Sequence, residues 1–339
     1  MSDEAEYRTA VAEFEAEALM ARHPPQILDA NKRLVLELAC PAGAKHAGVV
    51  EYSRWREIPL PEQLSVPGRC AFECREGFFD YGPPPHGVDD WHLNFAAAEL
   101  FASYGRGAMA QDEMQVAEHP ALGALREALL AAGMPTMTVE MRGFTPHAPT
   151  PILVRGVERR CILDTTPDPM RGRPGIYGTA FHRASQEVVR SAVTALDPPT
   201  RTNALAIEAP SFGRGAYSLK ELSFILSTAY SGFRAAMISS RLAQGGAARA
   251  VAIHTGFWGC GAYGGNRSIM TMLQRVAAML AGVDRLIFHA GFGRGVEDHD
   301  LAVARLLRHV FRDEADMKTG ELLDRIVALR LEWGQSDGN

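Results

Sequence analysis

Two adjacent carboxylates, Asp112 and Glu113, lie where the flexible stretch 103–108 passes into a helix pattern. A pair of carboxyl groups suits glycoside hydrolysis, because one can protonate a leaving group while the other orients a sugar hydroxyl. Carboxylates are also common in the first turn of a helix, where they complement the helix dipole. The pair by itself therefore leaves both catalysis and helix capping open.

A second chemical feature is the glycine-rich stretch 255–266, which lies between an apolar strand pattern and a helix pattern. Glycines let the backbone approach a ligand closely, and the amides and the following helix N-terminus favour an anion such as phosphate. The spacing fits neither a Walker A loop nor the three-glycine dinucleotide motif. We interpret the stretch as a phosphate cradle, with a tight turn as the alternative. Spacing alone does not show that it meets the acidic pair.

Strand and helix patterns alternate along the chain, which predicts an α/β fold with a mixed sheet flanked by helices. The pattern predicts strands over 91–96, 203–208, 249–254 and 285–289, and helices over 112–132, 219–242 and 268–280. The first 75 residues are expected to be rich in helix, with one strand over 33–38. Residues 164–178 form a long loop rich in proline, glycine and arginine, and loops of this length often carry function.

Composition and charge argue against several classes of protein. The chain has 339 residues, with 35 Lys and Arg against 40 Asp and Glu, and a net charge of −5. This balance argues against broad nucleic-acid binding, which needs a basic face. No apolar run approaches the ~20 residues of a membrane span, and the first residues do not resemble a signal peptide. The five scattered cysteines do not suggest a disulfide framework. We therefore expect a cytoplasmic protein with no metal and no cofactor.

Several ordered segments resemble the poly(ADP-ribose) glycohydrolase family. The best match is WGCGAYGG at residues 258–265, which is similar to the diphosphate loop of that family. Other similar segments are LNFA at 93–96, QDEM at 111–114, HPAL at 119–122, AIEA at 206–209 and AYSGF at 229–233. The resemblance implies a macrodomain-like mixed sheet, with an N-terminal accessory segment over 1–75 and the catalytic domain over 76–339.

The resemblance also implies roles for individual residues. Glu113 matches the general acid, and Asp112 matches the residue that holds a ribose hydroxyl. Gln111 and Asp80 match residues that contact adenine, Tyr177 matches the aromatic ring that stacks on it, and Phe292 covers its other side. The diphosphate is expected to lie against the loop residues Gly259, Cys260, Gly261, Ala262 and Tyr263, and Asn94 is expected to help bind the substrate.

The chain departs from the family pattern beside the reacting ribose. A triple glycine is replaced by residues 101–103, FAS, an asparagine by Ala97, and a strand aspartate by Asn94. In the acidic pair, the first glutamate of the family pattern is replaced by the shorter Asp112. We expect Phe101 to reshape the pocket around the scissile bond.

The function implied is hydrolysis of ADP-ribosyl glycosidic bonds in ADP-ribosylated proteins or their polymers. Two alternatives stay open. One is a hydrolase that acts on single ADP-ribosyl groups attached to protein side chains such as arginine. The other is a macrodomain that binds ADP-ribose without turnover.

Overall fold

The computed structural model describes residues 6–66, 69–143, 145–243, 249–314 and 316–338. Its strands are β1 (Arg8–Glu15), β2 (Val49–Trp55), β3 (Gln63–Ser65), β4 (Ala71–Arg75), β5 (Val88–Ala96), β6 (Val139–Arg142), β7 (Thr145–Pro149), β8 (Ile152–Leu163), β9 (Val193–Glu208), β10 (Ala250–Gly256), β11 (Arg285–His289) and β12 (Asp316–Lys318).

The α-helices surround the strands. They are α1 (Ala16–Arg22), α2 (Ala30–Ala39), α3 (Gln111–Glu118), α4 (Pro120–Ala131), α5 (Ala180–Arg183), α6 (Gln186–Ala192), α7 (Leu219–Ala243), α8 (Arg267–Ala281), α9 (Gly295–Arg305) and α10 (Thr319–Ala328). Within the described ranges, each of them is too short or too polar to cross a lipid bilayer.

Eight strands form one mixed sheet in the order β1-β2-β8-β9-β5-β10-β11-β4. The five strands from β9 to β4 are parallel to one another, while β1, β2 and β8 add antiparallel pairs. The carboxyl ends of parallel strands meet at one edge, which is where open α/β sheets bind ligands. The loops that follow β5 and β10 therefore emerge side by side.

Helices cover both faces of this sheet. Side chains alternate between the two faces of a strand, and Trp91 and Leu93 of β5 pack in the cluster that includes α7 and α8. Ala96 of the same strand packs in a second cluster with Leu122 of α4. The predicted α/β class, with a mixed sheet between layers of helix, is confirmed.

The first part of the chain is built into the sheet. Strand β2 pairs with β8 and strand β4 pairs with β11, both of the later part, while β1 extends the sheet beside β2. Strand β4 ends at residue 75. The division into an accessory segment and a catalytic domain stays a prediction.

Two predicted elements differ from the structure. The strand predicted over 33–38 is wrong, because these residues lie in α2. The Asp29 carboxylate accepts the Lys32 amide and caps that helix, whose buried side chains include Leu34 and Val35. The helix predicted over 112–132 is two helices, α3 and α4, because Pro120 lacks an amide proton and occupies a first helical position.

Candidate active site

The glycine loop, residues 257–266, joins β10 to α8 and is fixed to the sheet by tryptophan. Trp258 is fully buried, and its indole donates a hydrogen bond to the Ile207 carbonyl of β9 at 3.1 Å. Gly259 has a φ of +73°, and a Cβ there would lie 2.5 Å from the Ala209 methyl carbon. Only glycine fits this position, so the loop is held in one shape beside β9.

The loop leaves a group of backbone amides without protein partners. The amides of Cys260, Gly264 and Gly265 donate hydrogen bonds within the loop. For the amides of four other loop residues the described part of the chain provides no acceptor; these are Gly259, Gly261, Ala262 and Tyr263. Helix α8 starts directly after them. Free amides beside a helix N-terminus form an anion site, and all four belong to the set predicted from sequence.

The acidic pair lies in the first turn of α3, where both side chains are 8% exposed. Glu113 accepts a hydrogen bond from the Ala110 amide at 3.0 Å, which fixes one carboxylate oxygen. Asp112 accepts one from the Asn94 side-chain amide of β5, also at 3.0 Å. Asn94 is fully buried, so this contact holds Asp112 in place. Its predicted contact with a substrate stays a prediction.

Gln111 joins the start of α3 to the sheet. Its side-chain oxygen accepts from the Phe95 amide at 2.7 Å, and its side-chain nitrogen donates to the Leu93 carbonyl at 3.0 Å. Both ends of the amide are therefore bonded to the β5 backbone. The structure gives Gln111 a positioning contact, and its predicted contact with adenine stays a prediction.

A buried lysine of α2 lies near the acidic pair. Lys32 is 3% exposed, and its ammonium donates to the Tyr104 carbonyl at 2.8 Å. Burial lowers its pKa to about 8, against the opposing charges of Glu113, Asp112 and Asp29. Sequence analysis missed Lys32, since a single lysine in a helix pattern usually faces solvent. It brings a positive charge from the first part of the chain close to the carboxylates.

The neighbouring Glu113 carboxylate raises the cost of ionising Asp112. Burial, followed by the adjacent charge of Glu113, raises the pKa of Asp112 to about 7. The Asn94 hydrogen bond and the Lys32 charge oppose this rise. Asp112 therefore holds its proton up to near-neutral pH.

Two tyrosines indicate that the acidic pair and the glycine loop are close in space. Burial raises the pKa of Tyr263, and the charges of Glu208, Asp112 and Glu113 raise it further. Burial also raises the pKa of Tyr177 to about 12, with contributions from Asp337 and Glu113. The phenols therefore lie within electrostatic reach of the carboxylates. We call the region between the two segments, which are distant in sequence, the candidate cleft.

An aromatic group lies at the side of this cleft. Phe78 stacks on Tyr177 with ring centroids 5.8 Å apart and meets Phe292 edge-on at 5.4 Å. The His289 ring donates to the Phe78 carbonyl at 3.0 Å and accepts from the His254 ring at 3.0 Å. Phe78 and Phe292 are 44% and 58% exposed, so their faces are open to a ligand. Phe78 was missed from sequence, because it lies in an apolar pattern that predicts a strand.

Asp80 is close to the aromatic group but points partly to solvent. Its carboxylate accepts from the Gly82 amide at 3.3 Å and lies 3.7 Å from the Arg75 guanidinium. Partial burial raises its pKa, but the Gly82 hydrogen bond and the charges of His289 and Arg75 outweigh burial and lower the pKa. The carboxylate is therefore ionised near neutral pH, and its predicted contact with adenine stays a prediction.

One family model matches the part of the chain that contains the glycine loop. Residues 176–295 match the family model described as poly(ADP-ribose) glycohydrolase, macro domain fold. The match includes Tyr177, the glycine loop and Phe292, whereas the acidic pair lies outside it. No curated protein matches the chain.

By that match, residues 176–295 are similar to the poly(ADP-ribose) glycohydrolase family. The resemblance inferred from sequence is confirmed.

Solved structures similar to the chain include enzymes of two bacteria. The poly(ADP-ribose) glycohydrolase of Thermomonospora curvata is 16% identical over 90% of this chain and 88% of its own, with a TM-score of 0.40. Its complex with the inhibitor ADP-HPD is 15% identical over the same shares, with a TM-score of 0.42. The Deinococcus radiodurans enzyme in complex with ADP-ribose is 11% identical over 91% and 99%, with a TM-score of 0.40.

The departure from the glycohydrolase pattern at Phe101 has a different effect from the one expected. Phe101 keeps a left-handed backbone, with a φ of +52°, as a glycine would. Its side chain, however, is fully buried in the cluster with Tyr104, Val116 and Leu122. The expectation that it reshapes the pocket is therefore wrong. Its bulk fills the core between the sheet and α4, which offsets the backbone strain of about 1 to 2 kcal/mol.

Replacing Asp112 with Asn is expected to stabilise the fold in a pH-dependent way. The folded pKa of about 7 lies above the ordinary value of 3.8, so the stability that the protonated form contributes is lost as pH rises through 7. Asparagine keeps the acceptor for Asn94 but cannot ionise. The free energy of unfolding should differ little from wild type at pH 4, and exceed it by about 2 to 4 kcal/mol at pH 8. Urea titrations at both pH values measure this, with Asp324→Asn on α10 as an exposed control. An equal effect at the two pH values would contradict the raised pKa.

Proposed function

We propose that the protein is a hydrolase that cleaves ADP-ribosyl glycosidic bonds, with Glu113 as the general acid. One observation carries this proposal: the acidic pair lies close enough to the glycine loop for the charges of Asp112 and Glu113 to raise the pKa of Tyr263. The loop offers free amides to a diphosphate, and the pair offers a proton donor. A pyrophosphate-linked sugar fits both.

The chemistry follows from the positions of the two carboxylates. Glu113 donates its proton to the leaving oxygen as the bond to the anomeric carbon breaks, giving an oxocarbenium-like state. Asp112, held by Asn94, hydrogen-bonds a ribose hydroxyl and stabilises that state. The Glu113 carboxylate then takes a proton from water while the hydroxide adds to the anomeric carbon. The cycle ends with free ADP-ribose and a reprotonated Glu113.

The other predicted residues bind the two ends of the nucleotide. The amides of Gly259, Gly261, Ala262 and Tyr263 bind the diphosphate. The aromatic group of Phe78, Tyr177 and Phe292 receives the adenine, and Asp80 accepts from its amino group. Gln111 and Asn94 contribute through the positions of α3 and Asp112, and Cys260 contributes loop backbone.

The biological partners are proposed to be ADP-ribosylated proteins in the cytoplasm. All five cysteines are free in the structure, which is usual in a reducing compartment.

Parallel substrates test the proposal. The protein is incubated with poly(ADP-ribosyl)ated protein and with arginine-ADP-ribosylated protein, and free ADP-ribose is measured by chromatography. Release from the polymer supports poly(ADP-ribose) glycohydrolase activity, and release from arginine alone reassigns the substrate. Binding of ADP-ribose with no release from either substrate overturns hydrolysis in favour of a binding module.

A further inference from the structure

A short segment near the end of the chain lies on the glycine loop. In this segment, residues 334–338, the Asp337 amide approaches the Gly261 carbonyl at 3.4 Å. A Cβ built on Gly264 would lie 3.1 Å from the Ser336 nitrogen, and one built on Gly334 would lie 3.2 Å from the Gly265 carbonyl oxygen. The covering segment, as we call residues 334–338, therefore follows the loop backbone from Gly265 to Gly261.

Side-chain contacts hold the chain directly before the covering segment. Trp333 stacks on Tyr217 with ring centroids 4.5 Å apart, and its indole donates to a Glu221 oxygen at 3.1 Å. The Asn266 side chain, which also caps α8, donates to the Glu332 carbonyl at 2.7 Å. The covering segment is thus anchored at one end, while its own residues are exposed on their outer side.

The segment carries a carboxylate to the loop. A Cβ built on Gly261 would lie 3.2 Å from an Asp337 carboxylate oxygen. Asp337 also lies near the Tyr177 phenol, which lies near Glu113. The Asp337 carboxylate therefore lies beside the glycine loop and within electrostatic reach of Tyr177.

We infer that the covering segment is an autoinhibitory strap, in which Asp337 competes with the diphosphate of the substrate for the glycine loop. This inference rests on the proposed function and concerns the regulation of the same site. A diphosphate and the Asp337 carboxylate compete for the same stretch of loop, because they would occupy neighbouring space and like charges at close range repel. Substrate must therefore displace residues 334–338 while Trp333 keeps the chain attached.

Affinity for ADP-ribose tests the competition. Asp337→Asn keeps the size of the side chain and removes its charge, so we expect the Kd for ADP-ribose, measured by calorimetry on the full chain, to fall about tenfold. Asp324→Asn on α10, which removes an exposed aspartate elsewhere, should leave the Kd unchanged.

Proteolysis tests the displacement itself. An endoproteinase that cleaves on the amino side of aspartate removes residues 337–339, and intact-mass spectrometry follows that loss in the wild-type protein. Saturating ADP-ribose should speed this cleavage several-fold, since the strap leaves the loop. Slower cleavage in the presence of ADP-ribose would mean that the segment forms a wall of the occupied site and would overturn the inference.

The outcomes separate this inference from the proposed function. If wild type and Asp337→Asn bind ADP-ribose equally, the site stands and the strap does not compete for it. If both proteins are folded by circular dichroism and neither binds ADP-ribose, the proposed function itself fails.

Discussion

Replacing Glu113 with Gln should reduce the release of ADP-ribose about a thousandfold. Glutamine cannot donate a proton at the leaving oxygen, although its side-chain oxygen can still accept from the Ala110 amide that Glu113 bonds at 3.0 Å. The start of α3 is therefore kept, and the loop amides proposed to bind the diphosphate are untouched. Affinity for ADP-ribose should stay within a few-fold of wild type, so kcat falls while binding does not.

The control for this variant is another glutamate in a first helical turn. Glu187 lies in the first turn of α6 and is exposed, so Glu187→Gln should release ADP-ribose at the wild-type rate. Calorimetry and chromatography on both variants separate binding from turnover. Full activity of Glu113→Gln would remove Glu113 from the mechanism and leave the acidic pair as a helix cap.

The predictable parts of the site are contiguous in sequence. The glycine loop follows one strand and precedes one helix, so its geometry is a local property, and the anion-binding role predicted for it follows from its residue types. Strand β11 was predicted with its observed bounds for the same reason, since a short apolar run fixes a buried strand. These features need no knowledge of the rest of the chain.

The failed elements show where local patterns are ambiguous. Residues 33–38 alternate leucine with other residues, a spacing that fits a strand, yet Leu34, Val35 and Leu38 also fall on one side of a helix and pack in one cluster. The Asp29 cap decides for α2, and α2 then brings Lys32 beside the acidic pair. Because this segment was predicted as a strand, Lys32 was not recognised as a residue near the acidic pair.

Local sequence patterns could not predict contacts between distant segments. The meeting of Glu113 with the glycine loop was expected only through family resemblance, and Phe101 faces the core although its residue type suggested the pocket. Asp337 lies in a polar segment with no periodicity, so nothing local places it against Gly261. Tertiary packing decides all three positions.

Replacing Gly261 with Val should lower the affinity for ADP-ribose at least about a hundredfold. The Gly261 backbone is outside the left-handed region, so valine is compatible with its conformation. The nearest atoms to a Cβ there are those of the Asp337 carboxyl group, at 3.2 to 3.8 Å. Valine would fill the space beside that carboxyl group and keep the diphosphate from the loop amides. Loss of two charge-assisted hydrogen bonds, at about 1.5 to 3 kcal/mol each, gives the expected factor.

Gly320→Val is the matched control, since Gly320 of α10 has open space around a built Cβ. Both variants should keep the wild-type circular dichroism spectrum and unfolding midpoint to within a few degrees, and only Gly261→Val should lose ADP-ribose binding in calorimetry. The same variant distinguishes the effect of the loop amides from the effect of the strap. Valine would block the amides, which lowers affinity, and would also displace Asp337, which raises affinity. If the second effect were the larger, affinity for ADP-ribose would rise as in Asp337→Asn. An unchanged affinity would show that the glycine loop is only a turn between β10 and α8. Loss of ADP-ribose affinity in Gly261→Val would therefore mean that the loop amides themselves bind the ligand.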